Sequence, residues 1–390
     1  MKLFHLSDLH LGKKLNEFSL YEDQKYILTK LVQLVKAEQP DAVLIAGDVY
    51  DKTVPPAEAV QLFDSFLTEL GSLQVAVLII SGNHDSAERL AFGARLMVGS
   101  GIHMSLAYNG EAQVVTLEDE FGPVFFHLLP FLKPLTVKRG LGLEGDTAAE
   151  LNTYHKAVAA AVEHLPVDIL QRNVLLAHQF VTGAQKCDSE DVNVGGLDNI
   201  GAEVFAPFDY VALGHIHSPQ YVGADKRLRY CGTPLKYSFS ECGQTKSVTV
   251  VELGGKGRLD ISTIPLVPWR ELHKLRGTYD QVMSRDFYKA LPVDTDGRLR
   301  DFFHITLTDE QDVPDAVNKL RSVYKNLLQL AYDNKRTQQD NQVQGATAVE
   351  QKSELELFGD FYSLQNNQAL GAEQQGFLQS LIDGLKEGKQ

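Results

Sequence analysis

The sequence predicts an α/β fold, because short buried strands alternate with amphipathic helices from its first residues onward. Residues 2–6, 42–46 and 75–80 are apolar runs of strand length, rich in branched side chains. The segment 21–38, between the first two runs, carries apolar residues at helical spacing. Polar residues follow each strand, so we expect a parallel sheet flanked by helices, with a ligand crevice at the carboxyl ends of its strands.

The next elements follow from the same patterns. Pro55 and Pro56 start a helix over 57–70. Its predicted apolar face consists of Val60, Phe63, Leu67 and Leu70. Further helices are expected over 87–97 and 148–164, and further strands near 113–117, 124–129, 173–177, 210–213, 230, 248–253 and 259–264.

The chain has 390 residues, which is too long for one ordinary core. Pro268 and Trp269 mark a boundary in the pattern. We therefore predict a first domain over 1–267, a small α/β capping domain over 268–333, a flexible linker over 334–352 and a helical tail over 353–390. In the capping domain we expect strands near 271–275 and 302–307, and helices starting near 278 and covering 314–332.

The linker and the tail differ in composition. The linker is rich in Gln, Asn and Thr and has almost no large apolar residue. The tail has an apolar-aromatic cluster over 355–364 and then helical spacing over 370–385, with Phe377, Leu378, Leu381 and Leu385 on one face. Such a face behind a flexible linker indicates docking to a partner, with packing onto the same chain as the alternative.

Composition limits the function classes. No apolar run is long enough to span a bilayer, the amino terminus does not resemble a signal peptide, and three cysteines form no Cys-x-x-Cys pair. These features indicate a cytoplasmic protein without a membrane contact. The net charge of −14 is unusual for a stand-alone nucleic-acid-binding protein. Any work on DNA would therefore need a local basic path, metal ions or a partner.

Potential metal ligands follow five of the predicted strands. They are Asp8 and His10, Asp48, Asn83 with the neighbouring His84, His178, and His215 with His217. Each motif alone has an ordinary explanation, such as a helix cap or a turn for Asp48 and a packed ring for a single histidine. Five strand ends at once favour a site for two divalent ions. The mixture of imidazoles and carboxylates suits Mn²⁺, Fe²⁺ or Zn²⁺ better than Ca²⁺ or Mg²⁺, and we expect Mn²⁺.

The order of these motifs along the chain resembles that of the calcineurin-like metallophosphoesterases. The matching segments are Asp8-x-His10, Gly47-Asp48-x-x-Asp51, Gly82-Asn83-His84-Asp85, His178 and Gly214-His215-x-His217. The resemblance implies a sandwich of mixed sheets flanked by helices. More narrowly, segments 5–12, 176–181, 232–241, 268–272 and 357–362 resemble the nuclease subunits of bacterial complexes that contain an ATPase.

The resemblance implies a role for each site residue. Asp8, His10 and His217 would hold one metal ion, Asn83, His178 and His215 would hold the other, and Asp48 would bridge them. His84 would face the phosphate and donate a proton or a hydrogen bond. Asp51 replaces a histidine that archaeal and eukaryotic relatives carry, and we expect its carboxylate to accept a hydrogen bond from His84.

Three functions compete. The resemblance implies a metal-dependent DNA double-strand exonuclease and single-strand or hairpin endonuclease in DNA repair, regulated by ATP in its partner. The alternatives are a small-molecule or phosphoprotein phosphoesterase and an interaction subunit with a degenerate site. The complete ligand set opposes the last, and the capping domain and tail oppose the phosphoesterase.

Partners follow from the same resemblance. DNA would be the substrate, and the candidate contacts, chosen as basic residues near the motif loops, are Lys13, Lys14, Lys52, Arg89 and Lys236. Residues 353–390 would bind an ATPase of the structural-maintenance-of-chromosomes kind. The nuclease domain would form a homodimer within a heterotetramer through helices near 57–70 and 87–97, although their periodicity fits core packing equally well.

Overall fold

The computed structural model describes residues 1–185, 199–293, 299–334, 353–366 and 370–387. The chain divides into two compact units, Met1–Trp269 and Arg270–Gln390. Most of the predicted linker, residues 335–352, and Cys187 lie outside the described residues. Among the described helices, none combines the length and the apolar character that crossing a membrane requires.

Two six-stranded mixed sheets form the frame of the first unit, which confirms the predicted sandwich. The first sheet has the order β14-β13-β1-β4-β5-β6, and the second has the order β11-β12-β10-β9-β8-β7. The strands of the first sheet are β1 (Lys2–Leu6), β4 (Ala42–Ala46), β5 (Ala76–Ile80), β6 (Ile102–Met104), β13 (Ser247–Leu253) and β14 (Leu259–Pro265). The strands of the second are β7 (Gln113–Asp119), β8 (Gly122–Leu128), β9 (Arg172–His178), β10 (Tyr210–Gly214), β11 (Gln220–Val222) and β12 (Asp225–Tyr230). Lys14–Leu15 and Phe18–Ser19 form the small hairpin β2–β3.

The two sheets pack face to face through fully buried side chains such as Leu44, Phe126 and Leu176. In the first sheet β1, β4 and β5 are parallel, and in the second β8, β9 and β10 are parallel. The sequence pattern predicted one parallel sheet. The pattern did not predict the antiparallel strands β13 and β7, because the direction of a strand depends on its pairing partner and not on local residues.

Helices cover the outer faces of the sheets. They are α1 (Tyr21–Glu38), α2 (Ala57–Ser72), α3 (Ala87–Leu90), α4 (Ala94–Met97), α5 (Pro134–Gly140), α6 (Gly145–Glu150) and α7 (Tyr154–Glu163). The predicted helix over 87–97 is wrong as one element, because Gly93 adopts a left-handed conformation with φ 76° between α3 and α4. The predicted helix over 148–164 is also split, because Thr153 caps the start of α7. Val60, expected in the apolar face of α2, is 43% exposed.

The second unit contains a three-stranded parallel sheet with the order β15-β16-β17. Its strands are β15 (Leu272–Gly277), β16 (Phe302–Leu307) and β17 (Leu327–Tyr332), and its helices are α8 (Tyr279–Met283), α9 (Arg285–Tyr288), α10 (Ala316–Arg321), α11 (Glu354–Asn366) and α12 (Ala372–Glu387). The single helix predicted over 314–332 is wrong, because the last six residues of that segment pair with β16 as a strand. Tertiary pairing here overrides apolar spacing that fits a helix.

Candidate metal centre

The structure brings all seven predicted ligands to one end of the first unit. They are Asp8, His10, Asp48, Asn83, His178, His215 and His217. Asp8, His10, Asp48 and Asn83 follow strands of the first sheet, whereas His178, His215 and His217 belong to the ends of β9 and β10 in the second. The six His and Asp residues are at most 7% exposed. The crevice therefore lies between the ends of two sheets and not along the edge of one.

Two glycines allow the ends of the sheets to approach. A Cβ atom on Gly47, whose φ is 89°, would overlap the ring of His178, and a Cβ atom on Gly214 would overlap the carbonyl oxygen of Ala46. That carbonyl accepts a 2.8 Å hydrogen bond from Nδ1 of His178. The bond ties the end of β4 to the end of β9, and it leaves Nε2 of His178 directed into the crevice.

Asp8 and His10 converge differently from the sequence prediction. They do not lie on an extended strand, because β1 ends at Leu6 and both residues have positive φ, 54° and 43°. Asp48 and His215 share this left-handed conformation, with φ of 48° and 101°. Such backbone costs about 1–3 kcal/mol per residue and is concentrated at functional sites. Four of the seven ligands therefore occupy strained backbone.

The first ligand cluster contains Asp8, His10 and His217. Nε2 of His10 lies 3.1 Å from Nε2 of His217. The Asp8 carboxylate accepts hydrogen bonds from the hydroxyl of Ser7 and from the backbone N–H of His215, the latter at 3.1 Å. These bonds orient the carboxylate toward the two rings.

The second cluster forms around the amide oxygen of Asn83. That oxygen lies 3.0 Å from Nε2 of His178 and 2.9 Å from Nδ1 of His215. Asp48 lies between the two clusters, with its Oδ2 atom 3.4 Å from Nε2 of His178 and 3.7 Å from Nε2 of His10. Asp48 is therefore the carboxylate that is close to both ligand clusters.

His84 and Asp51 do not pair as the sequence predicted. Nδ1 of His84 lies 2.9 Å from the backbone carbonyl oxygen of Asp51, whereas the Asp51 carboxylate accepts a 2.7 Å hydrogen bond from Nζ of Lys13. The lysine cation attracts the carboxylate more strongly than an imidazole does, and the carbonyl is left for the ring. Nε2 of His84 lies 4.0 Å from Oδ2 of Asp48, and the His84 side chain is 21% exposed. His84 is thus accessible from solvent beside the ligand set.

Burial and neighbouring charges shift the pKa values of two site histidines in opposite directions. Burial opposes the cationic form of His178, but the Asp48 and Asp8 carboxylates outweigh it and raise the pKa of this imidazole to about 9. Burial and the neighbouring His178 lower the pKa of His215 to about 3. Burial opposes the charge on Asp48 as well, yet the surrounding imidazoles hold its pKa well below the usual range. The crevice thus concentrates negative charge on Asp48 and keeps a neutral ring at His215.

The donor set fits two divalent cations. It combines imidazole nitrogens, carboxylate oxygens and one amide oxygen, which suits borderline metal ions. Nδ1 of His10 is buried and has no hydrogen-bond partner among the described residues. Three groups of side chains each have ligand atoms within 4.8 Å of one another. They are Asp8, His10 and His217; Asp8, Asp48 and His178; and His10, Asp48 and His84. The site therefore supports dinuclear binding, and the chemistry does not select one metal.

The sequence reasoning missed several residues that support the ligand loops. Asp85 accepts backbone hydrogen bonds from Val49, Tyr50 and Gly82, at 2.9–3.1 Å, and so ties the Asp48 loop to the Asn83 loop. Gln24 of α1 donates a 2.7 Å hydrogen bond to the carbonyl oxygen of His10. Asp85 could have been found, since it closes the motif that contains His84. Gln24 sits in an ordinary helical pattern and gives no such signal.

The predicted DNA contacts occupy unequal positions. Lys14, Lys52 and Arg89 are exposed. The Arg89 guanidinium also donates a 2.8 Å hydrogen bond to the carbonyl oxygen of Thr53. Lys13 is bound to Asp51, as described above, and Lys236 donates a 3.1 Å hydrogen bond to the carbonyl oxygen of Cys242. The exposed residues of this set are more available to a ligand than the last two.

Two family models match the chain. The model for calcineurin-like phosphoesterases matches residues 1–219, and the model for the type 5 capsule protein repressor C-terminal domain matches residues 268–366. A curated relative, the SbcD subunit of the nuclease SbcCD from Staphylococcus epidermidis, is 33% identical over 337 residues, which cover 85% of each chain.

Solved structures with detectable similarity are more distant. A dimetal phosphatase from Danio rerio shows 11% identity and a TM-score of 0.40, and the match covers 68% of this chain and 96% of that one. Phosphopantetheinyl hydrolase from Mycobacterium tuberculosis shows 18% identity and a TM-score of 0.36, with 60% and 90% covered.

Proposed function

The chain belongs to the calcineurin-like phosphoesterase family and, within it, to the SbcD nucleases, and from this premise we propose its specific activity. It is a phosphodiester hydrolase that cleaves DNA as a double-strand exonuclease and as a single-strand or hairpin endonuclease. It acts as the SbcD component of an ATP-regulated SbcCD complex in DNA repair and recombination. The observation that carries this proposal is the convergence of six buried His and Asp side chains and the half-buried Asn83 beside one accessible histidine.

Each ligand has a proposed role. Asp8, His10 and His217 hold one ion, Asn83, His178 and His215 hold the second, and Asp48 bridges them. The position of Asp48 between the two clusters supports the bridging role. We propose that both ions are Mn²⁺. Two bound divalent ions would neutralise charge on the phosphoryl oxygens and lower the pKa of a water nucleophile.

His84 acts on the phosphate in this proposal. The Asp51 carbonyl accepts a hydrogen bond from Nδ1–H of His84, so Nε2 is the atom that faces the crevice. In the protonated ring, Nε2 can donate to a phosphoryl oxygen or to the departing alkoxide. The backbone N–H of His84 donates a 2.9 Å hydrogen bond to Oδ1 of Asp48, which fixes the loop beside the ligand set. Asp51 positions the ring through its backbone, and its carboxylate retains Lys13.

DNA binding depends on local charge in a chain of net charge −14. We propose that Lys14, Lys52 and Arg89 contact phosphates near the crevice, with Lys13 and Lys236 in supporting positions. Phosphate contacts of this kind add affinity without sequence information. A partner that clamps DNA supplies the remaining affinity and reconciles the acidic chain with a nucleic-acid substrate.

The tail binds the SbcC-type ATPase in this proposal, through residues 353–390. The support is the exposure of its aromatic rings: Phe361 is 58% exposed and Phe377 is 67% exposed. A polar contact joins the two helices, since Nε2 of Gln374 donates a 3.1 Å hydrogen bond to the hydroxyl of Tyr362. Apolar side chains presented on such helices suit an apolar groove of a partner.

A homodimer of the first unit within a heterotetramer completes the proposed assembly. The α3–α4 segment supports it, because Phe92 in the turn between these helices is 85% exposed and Leu96 of α4 is 88% exposed. Val60 of α2 is partly exposed as well, at 43%. Exposed apolar side chains of this size are typical of protein–protein interfaces.

The decisive experiment compares substrates. Duplex DNA, hairpin DNA and bis(4-nitrophenyl) phosphate are incubated with the protein and Mn²⁺, with and without the SbcC-type ATPase. We expect DNA cleavage that requires Mn²⁺ and that responds to ATP only when the partner is present. Hydrolysis of the small ester without DNA cleavage under any of these conditions would replace the nuclease proposal with a small-molecule phosphoesterase.

A further inference from the structure

A buried ion pair lies beside one metal-ligand histidine. Glu241 is 0% exposed and Lys246 is 3% exposed, and Nζ of Lys246 lies 2.6 Å from Oε2 of Glu241. Buried pairs of this kind often contribute little net stability, because the desolvation of both charges offsets their attraction. The position of the Glu241–Lys246 pair beside a proposed metal ligand therefore needs an explanation other than stability.

The pair contacts His217 at two points. Oε1 of Glu241 lies 3.9 Å from Nδ1 of the ring, and Nζ of Lys246 donates a 2.8 Å hydrogen bond to the backbone carbonyl oxygen of the same residue. That carbonyl also accepts a 3.1 Å hydrogen bond from the backbone N–H of Thr233. The carboxylate and the ammonium thus hold the side chain and the backbone of one ligand.

Other bonds fix the carboxylate itself. Oε1 of Glu241 accepts a 3.2 Å hydrogen bond from the backbone N–H of Tyr237, whose ring packs edge-on against His217 at 6.2 Å between centroids. Lys246 donates a further 2.8 Å hydrogen bond to Gln244. Because its surroundings immobilise it, Glu241 can impose an orientation on the histidine.

We propose that the Glu241–Lys246 pair positions His217 for cation binding. A negative charge beside Nδ1 favours the tautomer that carries its proton there, so that Nε2 carries a lone pair and not a proton. Nε2 faces His10 across 3.1 Å, on the side where the first ion is proposed to bind. Carboxylates that orient metal-binding histidines in this way commonly change metal affinity 10- to 100-fold, as an order of magnitude. This inference rests on the proposed metal-binding function of the site.

Titration of the full chain with Mn²⁺ tests the proposal, with a fluorescent chelator as competitor. In Glu241→Gln we expect one of the two ions to bind about 10- to 100-fold more weakly and the other to bind as in the wild type. The visible absorption of Co²⁺ at the weakened site should also change. Two wild-type affinities in Glu241→Gln would overturn the inference, whereas a wild-type protein that binds no metal would overturn the proposed function itself.

A double variant separates positioning from folding. Glu241→Gln leaves a buried lysine charge, so Glu241→Gln/Lys246→Met removes both charges and restores charge balance. We expect the double variant to retain the weakened site, and recovery of both affinities would overturn the inference. The matched control is Arg172→Met, which breaks the partly buried pair of Arg172 with Asp119. Arg172 begins β9, at the end away from His178, so both affinities should be unchanged.

Discussion

The two units of the chain differ most in the buried ionisable residues of the first and in the helices α11 and α12 of the second, although the first unit also exposes Phe92 and Leu96. The first unit buries a dense group of ionisable residues, with Asp8 and His178 both 0% exposed. The second unit exposes large apolar residues on α11 and α12, such as Phe361 and Phe377. A buried charge requires an opposite charge nearby, and exposed apolar surface is stabilised when another protein surface packs against it. The comparison supports the proposed division of roles, with cation binding in the first unit and partner binding in the second.

The largest effect is expected from the residue between the two ligand clusters. Asp48→Asn preserves the shape of the side chain and tolerates the positive φ of this position, but its amide offers only one oxygen. We expect metal content to fall from two ions to one at most, and DNA cleavage to fall by about a thousandfold or more. Elemental analysis and a nuclease assay measure the two quantities. Two retained ions would refute the bridging role and would weaken the contrast between the units.

A second variant separates catalysis from metal binding within the first unit. His84→Ala removes the imidazole but keeps the backbone N–H that donates to Asp48. We therefore expect both ions to remain, while cleavage falls by about 10²- to 10⁴-fold. The measurements are again metal content and cleavage of a short duplex. Loss of metal in this variant would make His84 a ligand and not a group that acts on substrate.

The exposed aromatic rings of the second unit give the next prediction. Phe361→Ser/Phe377→Ser should weaken binding of the SbcC-type ATPase by about 30-fold, since each half-exposed ring contributes about 1 kcal/mol when it is covered. Cleavage of short duplexes without the partner should not change. Phe121→Ser is the matched control, because Phe121 is also about half exposed, at 52%, but belongs to the first unit. Equal binding by the double variant and the wild type would exclude these rings from the interface.

The two units also differ in how well the sequence predicted them. In the first unit, the ligands follow short apolar strands directly, so their positions could be inferred from local pattern alone. The residues that support the ligands were not assigned roles, because Glu241 and Lys246 reach His217 only through tertiary contacts. In the second unit, local spacing was misleading: residues 314–332 have apolar residues that fit a helix, yet the last six of them form β17.

The pairing of His84 with Asp51 shows another limit of sequence reasoning. The prediction identified the correct two residues but the wrong atoms, because a sequence does not distinguish a carboxylate from a backbone carbonyl as the acceptor. Lys13 decides the outcome by binding the carboxylate at 2.7 Å. Two lysines thus contact residues of the site: Lys13 binds the Asp51 carboxylate, and Lys246 binds the His217 backbone carbonyl. The sequence predicted neither of these contacts.

The smallest predicted effect concerns stability, and it tests whether a buried histidine outside the ligand set stays uncharged in the folded chain. His5 on β1 is 0% exposed, and its Nδ1 lies 2.8 Å from the hydroxyl of Tyr210. Burial and the nearby Arg229 cation lower the pKa of His5 to about 3. The unfolded chain binds a proton on this ring below about pH 6.5, and the folded chain does not. The stability that His5 supports is therefore complete above pH 6.5 and is lost as the pH falls toward 3.

His5→Gln removes this titration and keeps an acceptor for the Tyr210 hydroxyl. At pH 5.5 the wild type should have lost about 1.4 kcal/mol of unfolding free energy through His5, relative to pH 7.5, and the variant should not show that part of the loss. Urea unfolding at both pH values, with a chelator present, measures the difference. His164→Gln is the control, since its exposed ring is solvated in the folded chain as well. If His5→Gln and the wild type lose the same free energy between these pH values, His5 does not remain neutral in the folded protein.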